Sequence, residues 1–142
     1  MTKSQILLAT TLALIALPAL AQVQITDAYG RSTGASGAVF LTITNPDATE
    51  DRLVSVTTDA AQMAMLHTSM MDANGVMSMP ALPDGVIIPA NGSHALARGG
   101  DHIMLMGLTK PVNNGDTLHL TLTFERSGPV SLDVIVDNKR LK

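Results

Sequence analysis

The chain has 142 residues, a net charge of −3, 46% hydrophobic and 2% aromatic side chains, and no cysteine. With so few aromatic residues, and with Arg and Lys scattered singly except at Lys139-Arg140-Leu141-Lys142, it lacks the basic, ring-bearing surface that nucleic-acid binding calls for. Without a thiol it can build neither disulfides nor the thiolate sites of structural zinc and iron–sulfur clusters.

The N-terminus reads as an address. Lys3 supplies a positive start, residues 6–17 form an uncharged apolar run, and Ala19-Leu20-Ala21 is a small-x-small cleavage site. This is the pattern of a secretory signal peptide spanning residues 1–21, with Gln22 as the mature start. The apolar run is short for a bilayer span and no second one follows, so no membrane insertion is expected after cleavage. The mature stretch of 121 residues is about one ordinary domain, with twelve acidic against eight basic side chains. It can bury a working core without covalent staples. Forgoing cysteine in an oxidising compartment also avoids the loss of thiols to disulfide and sulfinic forms.

From Gln22 onward, short β-branched alternating runs recur between turn residues. Strands are predicted over residues 23–29, 38–45, 52–58, 63–67, 76–79, 85–88, 93–97, 102–107, 117–125 and 130–136. The breakers between them include Asn45-Pro46-Asp47, Asn74-Gly75, Pro83-Asp84-Gly85, Asn91-Gly92, Gly99-Gly100, Asn113-Asn114-Gly115-Asp116 and Ser127-Gly128-Pro129. The clearest alternation is residues 118–124, where Leu118, Leu120, Leu122 and Phe124 face one way. Many short strands at this spacing predict an all-β, antiparallel sandwich or barrel. No amphipathic helix of useful length is present; a brief helical turn over residues 59–65 is the alternative to a strand there. No linker or repeat divides the chain, which predicts one domain over residues 22–137 and a short polar tail, frayed, over 138–142.

Apart from Met1, all methionines lie between Met63 and Met106, and His67 and His102 share that stretch. Residues two apart on a strand share a face. His102, Met104 and Met106 form one such row, Met63, Met65 and His67 a second, and Met77 with Met79 a third. Thioether and neutral imidazole are the donors that soft, monovalent copper prefers; Cu(II), zinc and iron ask for more nitrogen, carboxylate or thiolate. Imidazole binds in its neutral form, so such a site weakens as acid protonates it.

Methionine also fills cores, and Met63, Met65 and Met106 are assigned to packing. His94 and His119 read as surface or hydrogen-bonded residues. Met70 and Met71 fall in the turn before Asn74-Gly75, where exposed methionine is unusual; flanking a metal entry path and lining a mobile loop are the two readings. His67, Met79, His102 and Met104 are the set least easily explained as packing.

The residues carry a resemblance along nearly the whole mature chain. Its markers are Gly37-Ala-Val-Phe-Leu-Thr-Ile-Thr-Asn45, Leu66-His67, Asn74-Gly-Val-Met-Ser-Met79 and Ile88-Pro-Ala-Asn-Gly92. Further on come Gly99-Gly-Asp-His-Ile-Met-Leu-Met-Gly-Leu108, Gly115-Asp-Thr117 and Leu120-Thr-Leu-Thr-Phe124. In these the chain resembles the PCuAC family of periplasmic copper chaperones. The resemblance implies a cupredoxin-like, Greek-key β-sandwich holding one Cu(I) per monomer, with His67, Met79, His102 and Met104 as ligands. The eleven residues between His67 and Met79, and the twenty-two between Met79 and His102, each exceed the family spacing by one. Turns can absorb both extra residues, and the longer interval leaves Met77 or Met71 as alternative ligands.

The resemblance further implies a periplasmic carrier that passes Cu(I) to the dinuclear copper centre of cytochrome c oxidase. Subunit II or another chaperone of that assembly pathway would be the partner, and transfer would be ligand exchange, not enzymatic catalysis. A blue-copper electron carrier would need a cysteine ligand. Gly34-Ala35-Ser36-Gly37 is no nucleophile elbow, so hydrolase chemistry has no support. The competing expectations are a copper buffer or resistance protein with no dedicated recipient, and a structural β-sandwich with a methionine-rich core.

Overall fold

The computed structural model describes residues 22–140; the leader read at residues 1–21, and residues 141–142 of the tail, lie outside them. Among the described residues there are strands and no helix. In chain order they are β1 (Gln24–Thr33), β2 (Ser36–Asn45), β3 (Asp51–Thr58), β4 (Ala61–His67), β5 (Met70–Met71), β6 (Met77–Ser78), β7 (Val86–Ile88), β8 (Gly92–Leu96), β9 (His102–Leu108), β10 (Thr117–Phe124) and β11 (Gly128–Ile135).

Two antiparallel sheets form the body. One runs β1-β2-β9-β4, with β8 also on β2; the other runs β11-β10-β3-β7. The length of β2 lets it serve two partners in succession. Ser36 to Val39 pairs with β9, and Leu41 to Asn45 pairs with β8. Strands β5 and β6 form a separate small hairpin.

Alternation decides which faces meet. Leu118, Leu120, Leu122 and Phe124 of β10 are buried, as are Ile103 and Leu105 of β9 and Val39, Leu41 and Ile43 of β2. With Leu53 and Val134 they fill the space between the sheets in the manner of a sandwich. The fold is thus the cupredoxin-like β-sandwich expected from the sequence.

No methionine belongs to that core. Met65, Met104 and Met106 are half-buried, and Met63, Met70, Met71, Met77 and Met79 are exposed. The structural sandwich with a methionine-rich core is therefore ruled out, because Leu, Ile, Val and Phe already fill the interior. The assignment of Met63, Met65 and Met106 to core packing falls with it.

Other departures have local causes. The β1–β2 hairpin turns on Gly34-Ala35 with Thr33 opposite Ser36. Only Gly34 of that pair has a positive φ (67°), as a type II′ turn requires, so β1 runs further than predicted. The strand predicted over 63–67 is present and begins at Ala61, so the alternative helical turn over 59–65 is set aside. Met70 and Met71 are strand as well, facing Ser78 and Met77. The start of the tail is fastened where fraying was expected. Asn138 bonds with Ser32 and Asn114, and the Arg140 guanidinium stacks 4.1 Å from the Tyr29 ring centre.

One buried charge ties the second sheet's turn. Asp51, 3% exposed, accepts hydrogen bonds from the backbone N–H groups of Arg52, Arg126 and Ser127 and from the Ser127 hydroxyl. Burial alone would raise its pKa, but these donors outweigh it and hold the carboxyl below its ordinary value of 3.8. A carboxylate with a depressed folded pKa stabilises fully above the unfolded value and loses that contribution as pH falls through the folded one. Asp51→Ala should therefore cost about 1–3 kcal/mol near neutrality, by leaving buried N–H groups without an acceptor. Urea unfolding of both proteins should show the gap shrinking below about pH 4; a gap unchanged into strong acid would contradict the assignment.

Candidate metal centre

The β4–β9 ladder sets the geometry. His67 lies opposite His102, Met65 opposite Met104, and Met63 opposite Met106. Directly opposed residues share a face. Since Ile103 and Leu105 point into the core, all six soft side chains stand on the sheet's outer face. On β2, Ala38 lies beside Met104 and Ser36 beside Met106, while the Phe40 ring sits 6.2 Å from that of His102.

The two imidazoles end the row, with ring centres 6.0 Å apart. His102 is 4% exposed and its Nδ1 lies 3.0 Å from the Gly100 carbonyl oxygen. As donor in that bond, Nδ1 leaves Nε2 with the lone pair a metal would take. The Nε2 of His67 is buried and has no hydrogen-bond partner. Buried polar atoms are nearly always satisfied, so an orphaned imidazole nitrogen beside a second imidazole marks a place for a ligand.

The excursion between β4 and β7 brings further sulfur. Its base is pinned to β4 by Thr68 N–H to the Pro80 carbonyl and Leu82 N–H to the Leu66 carbonyl, at 3.1 and 2.8 Å. Ser69 N–H donates to the same Gly100 carbonyl that holds His102, so one oxygen fixes both the hairpin and the ring. At the tip, the Asp72 carboxylate accepts the N–H groups of Asn74 and Val76, an Asx turn that closes the hairpin.

Met77, Met79, His102 and Met104 consequently line one cavity of about 390 Å³, with Phe40, Arg31 and Arg98 among its other walls. Of the predicted ligands, Met79, His102 and Met104 are brought together there, and His67 stands beside His102. Met77 shares the cavity; Met71, opposite Met77 and 66% exposed, does not. No carboxylate lines the cavity, and among the described residues no three His, Cys, Asp or Glu side chains gather as a metal site. What the arrangement offers is neutral sulfur and nitrogen. The other two histidines are hydrogen-bonded, as the sequence suggested: His94 to Asp101 at 2.8 Å, and His119 to Asp133 on the neighbouring strand. The Asp133 hydrogen bond raises the exposed His119 above its ordinary pKa.

One contributor escaped the sequence: the Gly100 carbonyl, which holds the His102 ring and carries no side-chain signal.

The family described as "LpqE-like: Putative lipoprotein LpqE-like" matches residues 23–136. The chain belongs to this LpqE-like family. A relative in Leifsonia xyli subsp. xyli (strain CTCB07), "Putative lipoprotein Lxx21020", is 34% identical over 144 residues, covering 94% of this chain and 86% of the relative. Among solved structures, this LpqE-like chain superposes on the copper-bound PCuAC domain from PmoF2 with a TM-score of 0.68. That match has 22% identity and covers 84% of this chain and 95% of the other, a likeness of fold. The solution structure of CuI-DR1885 from Deinococcus radiodurans matches with a TM-score of 0.63 and 31% identity, over 89% of this chain and 83% of that one.

Exposure orders the methionines for oxidation. Met70, Met71, Met77 and Met79, between 52% and 66% exposed, should form sulfoxides several-fold faster with dilute peroxide than half-buried Met65 and Met104. Peptide mass spectrometry over a time course would show it, and equal rates at Met71 and Met104 would contradict the placement.

Proposed function

We propose that this LpqE-like protein is an exported carrier of Cu(I), bound by His67, Met79, His102 and Met104. The observation that carries the reading is the orphaned, buried His67 Nε2 beside His102, a ring held through Nδ1 that lines one cavity with Met79 and Met104. Two imidazoles and two thioethers form a neutral set, soft enough to favour monovalent copper over zinc or iron. Relatives of this fold solved with copper, the PCuAC domain from PmoF2 and CuI-DR1885, support the same cargo.

In this reading each molecule holds one Cu(I), and Met77 is the reserve donor on the hairpin. The signal sequence over residues 1–21 sends the domain of residues 22–137 to the periplasm. Release proceeds by ligand exchange. The imidazoles sit deep while Met79 is 52% exposed, so an incoming thiolate or thioether displaces Met79 first and the histidines last. The recipient is the dinuclear copper centre of cytochrome c oxidase subunit II, or another chaperone on that route; no substrate bond is broken, so the protein acts without catalysis.

Replacing His102 and Met104 together by Ala should weaken Cu(I) by several orders of magnitude in competition with a Cu(I) chelator, while the far-ultraviolet dichroism of the sandwich persists. Wild-type affinity in that variant would refute the ligand assignment. Mixing the Cu(I)-loaded protein with the apo soluble domain of subunit II should transfer copper; retention of all copper on the donor would favour the buffer reading.

A further inference from the structure

The imidazole-bearing cavity uses only part of the soft face. Beyond it, the β4–β9 ladder continues with Met65 opposite Met104 and Met63 opposite Met106. We infer that Met63, Met65 and Met106 form a second, all-thioether site for a soft monovalent ion, separate from the cavity and weaker than it.

Strand geometry carries the argument. Directly opposed residues have Cα atoms about 4.5–5.5 Å apart, and successive rungs on one face are about 6.8 Å apart. Met63 and Met106 thus form a rung of their own, about 13 Å along the strands from the histidine rung, with Met65 one step back. Methionine's long unbranched arm lets three sulfurs on two adjacent rungs close on one ion. Beside Met106 the neighbour on β2 is the small Ser36, which leaves that side of the rung uncrowded. Met63 is 53% exposed, and none of the three belongs to the core between the sheets.

The donor chemistry separates the two sites. Three thioethers are neutral and do not protonate in water, so they favour Cu(I) or Ag(I) and offer nothing to a hard cation. An ion held there would sit one rung from Met104, a donor of the cavity.

Titration with Ag(I), a redox-stable soft ion, tests the inference on protein labelled with ¹³C at the methionine methyls. Wild type should take up two equivalents by native mass spectrometry, and the second should move the methyls of Met63, Met65 and Met106. The variant M63L/M106L, close in volume and on the outer face, should hold only the first equivalent, with the second weakened more than tenfold. In H102A/M104A the first equivalent should be lost and the second retained, so failure of the histidine site and failure of this one read out separately. Uptake of a single equivalent by wild type, shifts confined to Met70 and Met71, or two equivalents in M63L/M106L would each overturn the second site.

Discussion

Everything proposed for this protein depends on the register between β4 and β9. Side chains alternate across a sheet with a period of two, so a slip of one residue exchanges the faces of a strand. In the observed pairing, Leu66 and Ile103 go into the core while His67, His102, Met65 and Met104 go out. A one-residue slip of β9 would put Ile103 and Leu105 in water and drive an imidazole and two thioethers between the sheets. Core burial thereby enforces the register that gathers the donors. The hydrophobic effect and the site are fixed by the same ladder.

The chemistry follows from what that face lacks as much as from what it holds. Neutral donors suffice for a monovalent ion, whereas a dication in the same place would have no carboxylate to balance it. The site also has two mechanical parts. The imidazoles stand on long, well-paired strands, and Gly100 fixes the ring of His102. Met77 and Met79 belong to a hairpin whose two strands have two residues each, held by its base and by the Asp72 turn. A rigid half, the two imidazoles with Met104, and a more exposed hairpin half, Met77 and Met79, would suit a cargo that is held and then exchanged.

Much of this was legible in the sequence because period-two alternation is a strong signal. Residues 118–124 gave their buried face directly, and His102-x-Met104-x-Met106 gave one shared face of β9. The β1–β2 turn was harder, since Gly34-Ala35 lacks the Asn-Gly or Asp-Gly signature of the commonest tight hairpins. Met70 and Met71 looked like turn residues because a two-residue strand carries no periodicity. The assignment of Met65 and Met63 to packing failed for a different reason. Periodicity says which residues share a face, but not which face the core lies on until the partner strand is known. Nor could sequence reveal that His67 Nε2 is left without a partner, which is a fact of burial.

The most direct test of the account is X-ray absorption at the copper edge on protein loaded with one equivalent of Cu(I). Cu(I) held by His67, Met79, His102 and Met104 should show a mixed shell of imidazole nitrogen and thioether sulfur in equal numbers, with imidazole scattering lost when His67 and His102 are replaced. A shell of sulfur alone, or one of nitrogen and oxygen without sulfur, would contradict it.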